Sequence, residues 1–100
     1  MRIPKKFLIR GKTWQVMLVD TLKDFGNTPI DGLCDSHSRT IYIDAGLGRR
    51  KTEVFFHEFI HAVLAEYGFQ VVEIPGPVEE MICNIIAIEL VERFKISLKK

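Results

Sequence analysis

The stretch TEVFFHEFIHAVLAEYG, residues 52–68, places His57, Glu58 and His61 inside an otherwise apolar run. Its apolar residues recur at helical spacing, and Gly68 supplies a stop, so the stretch predicts a helix over residues 50–67. Residues four apart share a helix face, so His57 and His61 project their imidazoles side by side. A single histidine on an apolar face is usually a packed core residue. Two histidines and a glutamate on adjacent turns are harder to bury, because leaving all three unpaired would cost several kcal/mol. Two imidazoles at this spacing supply half of a tetrahedral zinc site. Glu58 points elsewhere, yet it borders the metal and reaches a bound water, which is where the general base of a zinc hydrolase stands.

A catalytic zinc site needs a third protein ligand and one open position. Glu66, Glu79, Glu80, Asp44, Glu73 and His37 are the candidates. A second helix is expected over residues 77–94, opened by Pro77 in its first turn. On it, Glu80 shares a face with Asn84, Ala87 and Val91, where a carboxylate needs a cation partner. Glu79 falls nearer Ile86, Leu90 and Arg93 and reads as a first-turn glutamate favoured by the helix dipole. Glu80 is therefore the expected third ligand, with Glu79 as the alternative. Asn84, one turn on, is placed to hydrogen-bond a ligating imidazole.

Upstream, residues 7–20 read as strand broken by a turn at Gly11-Lys12, with Trp14, Val16 and Leu18 on one face and Gln15, Met17 and Val19 on the other. Residues 24–31 read as loop. Residues 33–35 and 40–44 read as strands of a hairpin joined by residues 36–39. Gly46 and Gly48 end the second of these. Residues 69–74 read as a short extended piece closed by Pro75-Gly76-Pro77. Strands followed by two helices make an α+β layout: a small antiparallel or mixed sheet with two long helices carrying the metal site.

One hundred residues make one domain, 1–100, with a thin core that a bound metal would help to stabilise. Apolar residues are 47% and charged residues 27%, the balance of a globular chain rather than a disordered one. A formal net charge of +1 with interspersed signs argues against direct nucleic-acid binding. The basic ends, Arg2, Lys5, Lys6, Lys99 and Lys100, read as solvated tails. Cys34 and Cys83 sit among apolar neighbours and read as buried free thiols. Neither a signal-peptide-like start nor a membrane-length apolar run is present, so a cytoplasmic protein without membrane contact is expected.

His57-Glu58-x-x-His61, then eighteen residues, then Glu80-x-x-Cys83-Asn84-x-Ile86-Ala87 resembles the small ImmA/IrrE-type zinc metallopeptidases, HExxH proteins of the gluzincin group common in phages and mobile elements. Cys83 stands where that family usually has alanine, and Ile86 where it has phenylalanine. The resemblance covers residues 52–94. It implies a minimal zincin-like core, with Zn2+ held by His57, His61 and Glu80 and Glu58 as the catalytic base. It implies hydrolysis of a peptide bond in a protein or peptide substrate, with repressor-like regulators as one class. His37, Tyr42 and Tyr67 are candidates for stabilising the oxyanion, and the strand over residues 40–44 for pairing with an extended peptide. The rival expectation is a zinc-stabilised binding module that sequesters a protein partner without cleaving it. The intact Glu58 speaks against that rival, since a structural site needs no base.

Overall fold

The computed structural model describes residues 2–68 and 75–94. β1 (Lys6–Ile9) and β2 (Lys12–Val19) pair antiparallel through a tight turn that puts Arg10 and Gly11 at φ 51° and 77°. Glycine takes that left-handed conformation without a Cβ clash; the turn contains Gly11 as expected but falls at Arg10-Gly11, one residue before the expected Gly11-Lys12, and Lys12 opens β2. β3 (Gly32–Asp35) and β4 (Thr40–Asp44) form the second hairpin. Asp35 builds its turn: Oδ1 accepts from the His37 and Ser38 amides at 3.0 and 3.3 Å, and Oδ2 accepts from the Ser38 hydroxyl at 2.9 Å. The Ser38 bonds hold the Asp35 carboxyl below its usual range.

The hairpins join through β4, which runs parallel to β2. The strand order is β1-β2-β4-β3, a four-stranded mixed sheet in which β3 is an edge and β4 is paired on both sides. Beyond β4, Asp44 caps a single 3-10 turn (Ala45–Leu47), accepting from the Gly46 amide at 2.8 Å and from the Leu22 amide at 3.1 Å. α1 (Arg50–Glu66) follows, and Gly68 at φ 82° ends it, its amide donating to the Ala65 carbonyl at 3.1 Å. α2 (Gly76–Phe94) carries Pro77 in its first turn, and the Pro75 carbonyl accepts from the Val78 and Glu79 amides. The molecule is thus the expected α+β arrangement. The extended piece expected over residues 69–74 and the basic residues Lys99 and Lys100 lie outside the described residues.

α1 lies on one face of the sheet, where Val54, Phe55 and Ala62 meet Ile9, Trp14, Ile41 and Ile43. Side chains of this size contribute about 2–3 kcal/mol each when fully buried. Phe7 stacks on Trp14 at 6.2 Å and meets Phe55 and Phe59 edge-on at 6.0 and 5.2 Å. Trp14 is fully buried, and its indole N–H donates to Glu66 Oε2 at 2.8 Å. Arg39 also binds Glu66 and holds its carboxyl below the usual range, so the end of α1 is tied to β2 and to the β3–β4 turn. Of the Trp14, Val16 and Leu18 face of β2, Trp14 is buried whereas Leu18 is 53% exposed. Leu18 lies four residues along the strand from Trp14, about 13 Å away, and α1 packs mainly over β3 and β4.

α2 packs chiefly on α1, burying Cys83 and Ala87. Val78, Met81, Ile82, Ile85, Ile86 and Ile88 remain exposed. Among the described residues, no helix is long and apolar enough to cross a membrane.

Candidate metal centre

The first turn of α2 meets the middle of α1. There the expected spacing is realised: the His57 and His61 rings lie 5.0 Å apart, inclined at 66°. Glu80 spans both, with Oε1 at 3.1 Å from His57 Nε2 and Oε2 at 2.9 Å from His61 Nε2. One ligand atom from each of the three residues lies within 4.8 Å of the others, a set able to hold a metal ion. A four-coordinate cation bound at roughly 2.1 Å needs donors about 3.4 Å apart, so small rotations of these side chains suffice. Two borderline nitrogens and one hard oxygen are also the donor set such an ion prefers.

Glu58 stands beside them, 4.0 Å from His57 Nε2 and only 8% exposed. Burial pushes its carboxyl up to about 7; the facing His61 works in the opposite direction, and Glu80 adds to the rise. Its neighbour across the interface is Gly32, the first residue of β3. A Cβ there would meet Val54 Cγ1 at 2.6 Å and both Cγ and Oε2 of Glu58 at 3.0 Å. Only glycine lets the strand approach the helix this closely. Between them opens a cleft of about 390 Å3. β3 and the residue before it form one wall, with Asp31, Leu33 and Cys34; His57, Glu58 and His61 form the floor; Glu80 and Asn84 close the α2 side. Arg50 and Glu53 stand at the N-terminal end of α1, where Arg50 binds Asp31 at 2.7 Å.

The two glutamates take opposite environments from those their helix faces suggested. The Glu80 side chain is 59% exposed, whereas that of Glu79 is 13% exposed and lies 2.6 Å from His61 Nδ1. Glu80 reaches the imidazoles from the open side of the cleft rather than from an apolar face. The side chain that hydrogen-bonds the His61 imidazole is Glu79, not Asn84 as expected. Glu79 also groups with His61 and Cys83 as a second set of convergent donors. Cys83 is buried, and its thiol is pushed up to about 12 by that burial and by the carboxylates of Glu79, Glu80 and Glu58. Cys34 is half-buried, its thiol raised by burial and by Glu58; both cysteines are free.

Several expected contributors stand elsewhere. His37 is in the exposed hairpin turn, Tyr67 lies under Arg10 at the end of α1, and neither they nor Tyr42 line the cleft. Asp44 and Glu66 are structural, as described above, and Glu73 lies outside the described residues. β4 has no free edge for a peptide because β2 and β3 occupy both sides. Among the described residues, the free edge beside the cleft belongs to β3. Gly32 escaped the sequence reading, although a glycine opening a strand is itself a signal of close backbone approach.

Comparison of the chain with family models, with curated proteins and with solved structures found no match.

Proposed function

We propose that this chain is a zinc-dependent peptidase of the ImmA/IrrE type, with His57, His61 and Glu80 as zinc ligands and Glu58 as general base. The observation that carries the reading is the reach of one carboxylate, Glu80, to the Nε2 atoms of both histidines, with Glu58 buried beside them.

Zinc held there would polarise a water and the scissile carbonyl. Glu58 accepts the proton of the attacking water and delivers it to the leaving nitrogen. Its carboxyl, near 7 without a cation, lies close to the pH at which one group serves as both base and acid. A neighbouring cation favours the ionised form, which is the form that starts the reaction. The β3 edge offers backbone groups on which an extended segment aligns along the cleft. Asn84 and Arg50 are the side-chain donors on the cleft walls for the developing oxyanion. The resemblance alone points to a repressor-like regulator as the substrate class.

The test is a proteome-derived peptide library incubated with zinc-loaded protein, with new termini read by mass spectrometry. Cleavage by the wild type that falls about 10²–10⁴-fold in Glu58→Gln is expected. Zinc-loaded wild type that generates no new termini would contradict catalysis and favour the sequestering module.

A further inference from the structure

Consecutive residues on a helix project about 100° apart, so Glu79 and Glu80 cannot approach one atom from the same side. They meet the two nitrogens of one imidazole instead. Glu80 Oε2 is 2.9 Å from His61 Nε2, and Glu79 Oε2 is 2.6 Å from His61 Nδ1. We propose that Glu79 is the positioning residue of the metal site: its carboxylate accepts the His61 Nδ1–H and thereby presents Nε2 to the ion. The inference rests on the zinc reading above and assigns the tautomer of one ligand within it.

Three observations choose this arrangement over its rival, an ion held by His61 Nδ1, Glu79 and Cys83. The Nε2 of His61 meets Glu80, which lines the cleft, and neither Glu79 nor Cys83 lines it. A catalytic ion needs an open position for water, which the buried Cys83 side lacks. The second imidazole, His57, also presents its Nε2 on the Glu80 side. Both ring nitrogens of His61 meet a carboxylate, Nδ1 at 2.6 Å and Nε2 at 2.9 Å; an ion held with Glu80 takes the place of the hydrogen at Nε2, whereas Glu79, with 13% of its side chain exposed, keeps the one on Nδ1 with little water to compete for that bond. A carboxylate on the far nitrogen of a ligating histidine fixes the ring and strengthens its donor atom; losing it typically weakens metal binding 10–100-fold.

The experiment records long-range proton–nitrogen correlations of the histidine rings, in full-length protein without and with one equivalent of zinc, for wild type, Glu79→Gln and Glu79→Ala. In wild type, His61 should carry its hydrogen on Nδ1 and bind zinc through Nε2. Glu79→Ala should weaken zinc binding about 10–100-fold and let both His61 tautomers appear in the metal-free protein. Glu79→Gln keeps an acceptor oxygen in place and should retain the Nδ1–H tautomer with an intermediate affinity. A backbone amide spectrum matching wild type separates these effects from unfolding, and Glu79→Gln carries the test if Glu79→Ala does not fold. Zinc bound through Nδ1, or an affinity within about threefold of wild type in both variants, would overturn the proposal and leave the zinc reading standing. A wild type that takes up no zinc would overturn both.

Discussion

Gly32 and Glu58 touch across the boundary between β3 and α1, so closely that a methyl group on Gly32 would lie 3.0 Å from the Glu58 carboxylate oxygen. The same methyl would lie 2.6 Å from Val54, a buried β-branched residue with one favoured rotamer in a helix. Gly32→Ala should therefore push β3 or Glu58 away, destabilise the protein by about 1–3 kcal/mol, and slow hydrolysis. Its zinc content should stay at the wild-type level, because none of the ligands is touched. Thermal unfolding and metal analysis on the same sample check both halves.

Metal-free protein should lose stability as the pH rises from about 4.5 to about 7. Burial raises the folded Glu58 above the 4.5 of an exposed glutamate, to about 7. The folded state thus keeps a proton that the unfolded chain has already released. That contribution is complete below 4.5 and gone above about 7, and amounts to roughly 3 kcal/mol. Urea unfolding in chelator at both ends of this range should show the fall in wild type and a flatter profile in Glu58→Gln. Parallel profiles for the two proteins would contradict it.

Thr52 is 1% exposed, and among the described residues its hydroxyl is the one buried side-chain group without a hydrogen-bond partner. An unpaired buried hydroxyl costs about 1–3 kcal/mol, and valine has the same shape without it. Thr52→Val should stabilise the fold by about 1 kcal/mol and raise Tm by about 4–8 °C. A lowered Tm would mean that the hydroxyl has a partner in solution.

The parts of this protein legible in the sequence are those governed by local periodicity. The His57–His61 spacing, the stop at Gly68 and the turn over residues 36–39 follow from residues a few positions apart, and the structure places them as expected; the first hairpin turn lies one residue earlier than expected. What depends on long-range packing was less legible. α2 is apolar around most of its circumference, so its sequence does not say which face meets α1. Glu80 was expected among small and apolar residues, yet it reaches the histidines from the exposed side, while Glu79 is the more buried of the two. Strand order is equally non-local. The chain reads β3 then β4, and only the parallel pairing of β4 with β2 leaves β3 at the edge of the sheet among the described residues. The Gly32–Glu58 contact depends on that edge position as well.

The proposed zinc site is built jointly by α1 and α2. Its most direct test is elemental analysis of untagged protein, supplied with zinc and then dialysed, for wild type, His57→Ala and Glu80→Ala. About one zinc per wild-type chain and clear loss in both variants are expected, with the fold checked by circular dichroism. Wild type that holds no zinc, or variants that keep it undiminished, would contradict the assignment of His57, His61 and Glu80 as the ligands.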